Sequence, residues 1–167
     1  MEAADACHNK RGSPDGVGGG AAAAQTVHAM RAFETFEHTA DIGLLARGRT
    51  LAELFANAAD GLADLIVDRD GLSDTAQVQV RVSATDVESL MVAWLNELLY
   101  LLDTKRFLPR RAQITSLDAA ALTAHLSGDT IDPDRHTVRR MIKAATYHAL
   151  SLRQTDGVWE ARVILDL

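Results

Sequence analysis

The sequence predicts an α+β fold, with two helices packed on an antiparallel or mixed β-sheet in a single layered domain. Two segments carry apolar residues at the 3.6-residue period of amphipathic helices. Several others alternate apolar and polar residues, as strands with one buried face do. A glycine- and alanine-rich stretch precedes them all. We therefore expect a flexible tail over residues 1–32 and the folded domain over residues 33–167.

The first two strands lead into the first helix. Residues 33–37 alternate apolar and polar, and residues 42–46 form a second short apolar run. Thr50 and Glu53 have the spacing of a capping box, in which each side chain satisfies a backbone N–H at a helix start. The apolar stripe that follows predicts a helix over residues 51–66 with one core-facing side.

A third strand leads into a second and more apolar helix. Residues 76–84 alternate with valines on one face. Thr85 and Glu88 repeat the capping-box spacing, and the apolar arc beyond them is wide enough for burial on more than one side. Lys105 and Arg106 place cations where the helix dipole is negative, which indicates the helix end. This is the expected central helix.

The remainder is predicted to be mostly β. Asp156 and Gly157 join two apolar runs and give the clearest hairpin signal. The full expectation is strands at 113–117 and 121–126, a loop over 128–134, a strand at 137–145, a turn at 146–148, and hairpin strands at 150–154 and 158–165.

Composition narrows the class of protein. The 167 residues contain 17 Lys and Arg against 23 Asp and Glu, a formal charge of -6, which argues against broad electrostatic capture of DNA or RNA and leaves a local basic patch open. No apolar run reaches the roughly 18 residues of a membrane-spanning helix. Cys7 is the only cysteine, so no internal disulfide can form, and the N-terminus lacks the apolar core of a secretory signal. We expect a soluble, cytoplasmic protein.

Familiar catalytic motifs are absent. The sequence has no phosphate loop, no H-E-x-x-H zinc helix and no G-x-S-x-G nucleophile elbow. Residues 16–21 satisfy the loose dinucleotide-binding glycine pattern, but no strand precedes them and no βαβ unit follows. A self-sufficient hydrolase or nucleotide-driven enzyme therefore has little support.

Three places concentrate unusual polar groups: residues 37–41, residues 143–148, and the terminus at Asp166 and Leu167. At the terminus, a side-chain carboxylate and the α-carboxylate adjoin, and they would suit a hard cation if Asp41 also reached them. Each place has a plain structural alternative. These are backbone capping by Asp41 beside a partly buried histidine, a turn with a packed tyrosine and a solvated lysine, and a frayed terminus.

A basic cluster at the end of the second helix has two readings. It could contact RNA or an acidic partner, or it could be a solvated face, because a helix C-terminus attracts cations in any case. The cluster consists of Lys105, Arg106, Arg110 and Arg111.

Five separated segments together resemble the archease family, in order and spacing, over about residues 33–167. They are residues 36–43 (FEHTADIG), 94–101 (WLNELLYL), 132–136 (DPDRH), 143–148 (KAATYH) and 162–167 (RVILDL). The resemblance implies a small α+β protein that is not an enzyme itself but activates an RtcB-type RNA ligase in tRNA splicing or RNA repair. It implies that the protein promotes guanylylation of the ligase and multiple turnover.

The resemblance also implies a site. Asp41, Asp166 and Leu167 match the family's metal-binding positions, usually described with calcium, and Mg²⁺ or Mn²⁺ are alternatives. His38, Lys143 and His148 match positions expected on the surface that meets the ligase. RNA is expected to be contacted through the ligase, and no DNA or membrane partner is implied.

Two rival functions stay open at this stage. The same carboxylates could serve a metal-dependent phosphohydrolase that acts alone, with His38 or His148 as the base. The protein could also be a chaperone-like interaction module with no metal role. Release of phosphate by the purified protein would favour the first, and failure to bind a divalent cation would favour the second.

Overall fold

The computed structural model describes residues 30–38 and 41–167, except for the side chain of His38. The expected tail therefore lies almost wholly outside the described residues. The described elements are β1 (Phe33–His38), β2 (Asp41–Gly48), α1 (Leu51–Ile66), β3 (Ala76–Ser83), α2 (Val87–Lys105), β4 (Phe107–Leu117), β5 (Ala121–Thr130), β6 (Ala144–Thr155) and β7 (Val158–Asp166), with a short 3-10 turn at Arg69–Gly71. Within this part of the chain, no helix is long and apolar enough to cross a membrane.

The strands form two antiparallel sheets, which confirms the α+β class. A four-stranded sheet has the order β1-β2-β7-β6, and a three-stranded sheet has the order β3-β5-β4. The sequence analysis expected one sheet. Pairing joins strands that are far apart in the chain, as β2 and β7 are, and no local pattern records such partners.

Both helices pack against both sheets, so a single core lies between the helices and the sheets. Trp94 at the middle of α2 is fully buried, and its indole N–H donates to the Phe55 carbonyl of α1 at 3.0 Å. This bond satisfies the polar edge of the largest buried side chain and fixes the two helices against each other. The prediction of α2 as the central helix agrees with its eight buried residues, which lie on more than one side of the helix: Leu90, Met91, Val92, Trp94, Leu95, Leu98, Leu99 and Leu101.

The helix starts are local and were largely predictable. Thr50 accepts the Glu53 N–H at 3.1 Å, and the Glu53 carboxylate accepts the Arg49 N–H at 2.8 Å. At α2 the predicted cap is off by one residue: Asp86, rather than Thr85, accepts the Ser89 N–H at 2.7 Å. A carboxylate offers two acceptor oxygens, and here it also accepts from the Thr85 hydroxyl.

The C-terminal half corrects three expectations. In the segment 137–143, Val138 forms one isolated bridge with Val67 and the other residues belong to no strand, so the predicted strand at 137–145 is wrong over most of its length. Residues 146–148 are not a turn, because β6 runs through them. Residues 128–130 belong to β5 and not to a loop. The hairpin around Asp156 is confirmed, with both Asp156 and Gly157 at positive φ.

Candidate metal and partner site

The site begins where β2 and β7, the two central strands of the four-stranded sheet, lie side by side, at the end of the sheet where β2 begins and β7 ends. Ile42 pairs with Leu165, and both side chains are buried on the core face. The same register continued by one residue sets Asp41 beside Asp166. Alternation then turns both carboxylates to the outer face, with neighbouring Cα atoms about 4.5–5.5 Å apart in such pairs. The fold thus brings together two acids from opposite ends of the domain.

The C-terminus is held by hydrogen bonds from the segment that enters β6. The Lys143 N–H donates to the Asp166 carbonyl at 2.8 Å, and the Lys143 ammonium donates to the Leu167 oxygen at 2.6 Å. Asp166 is the last residue of β7, and its Cα pairs with Ala144. Lys143 therefore lies at the same end of the sheet as Asp166 and Leu167.

Asn96 of α2 positions that segment, and the sequence analysis missed its role. Its side-chain carbonyl accepts the Ala145 N–H at 2.9 Å, and its amide donates to the Ala145 carbonyl at 3.0 Å. Both backbone groups of a buried residue are thereby satisfied. The available signal was an amide within an otherwise strongly apolar stretch of the central helix.

His148 lies farther along β6, in a bulge. Thr146 pairs with Ile164 and Ser151 with Arg162, so β6 has three residues more than β7 in this stretch. Ala149 has φ 49°, which bends the strand, and the exposed Tyr147 and His148 lie just before that bend. His38 pairs with Asp41 through the backbone, and its side chain is outside the described set.

A stacked trio supports the outer face next to the acids. Gly43 pairs with Phe36, and a Cβ on Gly43 would overlap the Phe36 ring. The Arg162 guanidinium lies 4.4 Å from the centroid of the same ring, within the range of a cation–π contact. The glycine of the H-T-A-D-I-G segment therefore makes room for an aromatic ring two strand positions from Asp41.

The oxygen atoms at this end of the sheet are ligands of the kind that a hard divalent cation binds. Asp41, Asp166 and the Leu167 terminus offer only oxygen atoms, which Ca²⁺ and Mg²⁺ prefer. Among the described His, Cys, Asp and Glu side chains, no group of three or more is placed to hold a metal. The terminal carboxylate is a main-chain group and is additional to these side chains. The arrangement consists of two side chains and a chain terminus.

The D-P-D-R-H segment is organised around a buried carboxylate, Asp129, which is 2% exposed. Burial would raise the pKa of Asp129, but hydrogen bonds from Ser73, Thr75 and Arg135 hold it well below its usual range. The Nδ1 atom of the buried His136 accepts the Asp132 N–H at 3.0 Å, and its Nε2 atom lies 3.5 Å from the Asp129 carboxylate. The motif is thus a structural anchor for this loop.

The basic cluster at the end of α2 does not act as one unit. Arg106 takes the left-handed cap conformation and donates to the Ile131 carbonyl at 3.1 Å. Arg110 pairs with Asp74 at 3.3 Å. Lys105 and Arg111 are exposed, and Arg111 lies on β4, facing the outside of the three-stranded sheet.

The fold and site together define a class: a two-helix, two-sheet α+β protein in which carboxylates, a lysine and the chain terminus gather at one end of the four-stranded sheet. The Archease protein family (MTH1598/TM1083) model matches residues 33–167. The chain is 37% identical to protein archease of Methanosarcina mazei over 139 residues, 81% of this chain and 95% of that protein. It is 36% identical to protein archease of Pyrococcus furiosus over 142 residues, 83% of this chain and 100% of the relative.

Solved structures agree. The solution structure of Methanobacterium thermoautotrophicum protein 1598 is 34% identical with a TM-score of 0.71, over 83% of this chain and 100% of that one. The crystal structure of an archease of Thermotoga maritima, described as a possible chaperone, shares the fold at 23% identity with a TM-score of 0.54, over 84% of this chain and 99% of that one. The chain belongs to the archease family.

Proposed function

We propose that this protein is a metal-binding accessory protein that activates an RtcB-type RNA ligase in tRNA splicing or RNA repair. It acts in the cytoplasm, is not itself the ligase, and promotes guanylylation of the ligase and repeated turnover. The observation that supports this role is the gathering of Asp41, Asp166, Leu167 and Lys143 at one end of the four-stranded sheet of an archease-family chain.

The carboxylates have no local structural explanation comparable to that of Asp129. Asp129 is buried and satisfied by hydroxyls and backbone, whereas Asp166 is exposed at a strand end. Asp41, Asp166 and the Leu167 carboxylate would hold a divalent cation, Ca²⁺ in the first instance, which would supply positive charge at the contact surface.

Lys143 has a definite part in this arrangement. Its ammonium donates to the Leu167 oxygen, so it orients the terminal carboxylate while remaining exposed. The Lys143 N–H donates to the Asp166 carbonyl and the Ala145 N–H donates to the Asn96 side chain, and these bonds keep the segment at this end of the sheet. A partner protein would therefore meet a preformed set of charges, which reduces the entropy lost on binding.

A ligation assay with limiting ligase tests the role. The mixture contains an RtcB-type ligase, GTP, a divalent cation and cleaved RNA, and products are counted per ligase molecule with and without this protein. We expect more than one product per ligase only when the protein is present. Asp41→Asn and Asp166→Asn are expected to lower turnover at least about tenfold, which corresponds to about 1.4 kcal/mol.

The matched control is Asp103→Asn, which removes one exposed carboxylate from α2 and is expected to keep full activation. Unchanged turnover with both site variants would overturn the proposed site. Calorimetric titration with Ca²⁺ gives a second readout, and equal binding by the wild type and Asp166→Asn would remove the metal from the proposal. Phosphate release from GTP without ligase would instead favour a phosphohydrolase.

A further inference from the structure

The outer face of the three-stranded sheet is polar and lacks acidic side chains. Among the described residues, the exposed positions of β3, β4 and β5 include no Asp or Glu, although the chain has six more acids than bases. The inner face carries the valines, leucines and alanines of the core. The outer face instead carries Gln77, Gln79, Arg81, Arg111, Gln113, Thr123, His125 and Ser127.

The basic side chains of this face form a diagonal line across the sheet. Arg111 pairs with Ser127, two residues from His125 on the central strand. His125 pairs with Gln79, two residues from Arg81 on the opposite edge strand. Diagonal neighbours of this kind are about 7–8 Å apart, so the three groups cross the sheet at an even spacing. Each of the three is exposed.

The two arginines keep their charge available. In the described part of the chain, other arginines form the ion pairs, and neither Arg81 nor Arg111 has a carboxylate within 4.0 Å. Burial raises the pKa of Asp60 on α1, and the nearby charge of Arg111 opposes this rise. The ion pair of Asp60, however, is with Arg69, at 3.0 Å. Arginine binds phosphate in a planar, bidentate manner.

A shallow depression lies at one end of the diagonal. Its volume is about 260 Å³, and it is lined by Gln77, Arg111, Gln113, His125, Leu126 and Ser127. The guanidinium, imidazole and amide groups can all donate hydrogen bonds to a phosphate oxygen. Ser127 contributes differently, because its hydroxyl already donates to Asp74 at 2.9 Å.

The other sheet has the opposite character. On the outer face of the four-stranded sheet, Arg47 bridges Glu34 and Glu160 at 3.0 and 3.1 Å, and Arg153 pairs with Glu160. These two arginines are thus paired with carboxylates, whereas Arg81 and Arg111 of the three-stranded sheet are not. A polyanion would therefore be attracted more strongly to the three-stranded sheet.

We infer that the outer face of β3, β5 and β4 binds single-stranded RNA through its phosphates, with one phosphate in the depression and the backbone following the diagonal. A single line of basic groups fits one strand, whereas a duplex presents two rows of phosphates. The glutamine amides have acceptor as well as donor atoms, so they can also accept from ribose 2′-hydroxyls. Among the described residues of the face there is no Phe, Tyr or Trp for base stacking, and His125 is its single ring, so binding is weak and independent of base sequence.

This inference extends the expectation that RNA is met only through the ligase, and it does not rest on the proposed function. Its test contains the full chain and a labelled 12-nucleotide uridine strand without ligase, and fluorescence anisotropy measures binding at 20–200 mM salt. We expect weak binding. The logarithm of the association constant should fall linearly with the logarithm of the salt concentration, at a slope of about -1.4, the value for two phosphate contacts on a single strand.

The double variant Arg81→Ala, Arg111→Ala is expected to weaken binding about tenfold or more and to abolish most of the salt slope. The control Arg49→Ala, Arg140→Ala removes the same charge from exposed positions elsewhere and is expected to bind as the wild type does. An equal loss in both double variants would overturn the site. So would equal binding of the matching DNA strand or duplex RNA, or tighter binding of a polyglutamate peptide.

Discussion

Asn96 hydrogen-bonds both backbone groups of Ala145, accepting its N–H at 2.9 Å and donating to its carbonyl at 3.0 Å. The central helix thereby fixes the start of β6, and Lys143 two residues earlier donates to the oxygen of the chain terminus. A side chain in the core region is thus linked through one strand to the candidate site. The position of the candidate site therefore depends on how α2 packs against the start of β6.

Asn96→Ala should lower the free energy of unfolding by about 1–3 kcal/mol, because two backbone groups of a buried residue lose their partners. Urea unfolding measures this change. Activation of the ligase should fall as well, since the segment bearing Lys143 loses its anchor. The neighbouring substitution Glu97→Ala serves as the control and should change stability by no more than about 0.5 kcal/mol. Equal stability of both variants would contradict the anchoring role.

Lys143→Met should separate function from stability. The Lys143 side chain is exposed, so its loss is expected to change the free energy of unfolding by no more than about 0.5 kcal/mol. Its bond to the Leu167 oxygen is lost, and ligase turnover should fall several-fold. Lys105→Met, which removes an exposed lysine at the end of α2, should leave turnover unchanged. Full turnover with Lys143→Met would exclude this lysine from the activating surface.

Gly43→Ala should destabilise the protein by about 1–3 kcal/mol, because the new methyl group would overlap the Phe36 ring. Displacing the ring also removes its contact with Arg162. The test is a double-mutant cycle measured by thermal or urea unfolding. In a Phe36→Ala background the same Gly43→Ala change should cost much less. Additive costs would show that the ring is not the obstacle.

Asp129 predicts a specific pH dependence of stability. Its pKa in the folded protein lies below the unfolded value, which is near 3.9. Its stabilising contribution is therefore complete above about pH 5 and is lost as the pH falls through the folded pKa. Asp129→Asn should cost about 1–3 kcal/mol at pH 7, and this difference from the wild type should shrink between pH 5 and pH 3.

The measurement for Asp129 is urea unfolding at a series of pH values. Asp103→Asn is the control, because Asp103 is exposed on α2, and its curve should run parallel to that of the wild type. A difference between Asp129→Asn and wild type that stays constant down to pH 3 would mean that the carboxylate is not stabilised by its charge.

Local chemistry explains which predictions were accurate. The bounds of α1 and the end of α2 were predicted closely, because caps and apolar periods are encoded within a few residues. Strand extents were predicted less well: β4 was expected from residue 113 and begins at Phe107. Its first residues are a continuously buried run with no alternation. Periodicity cannot distinguish such a run from other buried structure.

The candidate site was predictable as a set of residues. The sequence analysis named Asp41, Asp166 and Leu167 as metal ligands and Lys143 on the partner surface. The fold places all four at one end of the four-stranded sheet, and both roles stay predictions. The analysis missed Asn96, since an amide within a helix gives no sign of its distant partner. The roles of His38 and His148 also stay predictions.

The sequence by itself determined the two helices, the hairpin at Asp156 and the family, because each depends on residues close together or on motifs in order. Only the tertiary structure decided the division into two sheets, the neighbourhood of Asp41 and Asp166, and the diagonal of Arg81, His125 and Arg111. These depend on strand register. Register is set by burial of one face of each strand against the whole core, and a local pattern cannot specify which strand another strand pairs with.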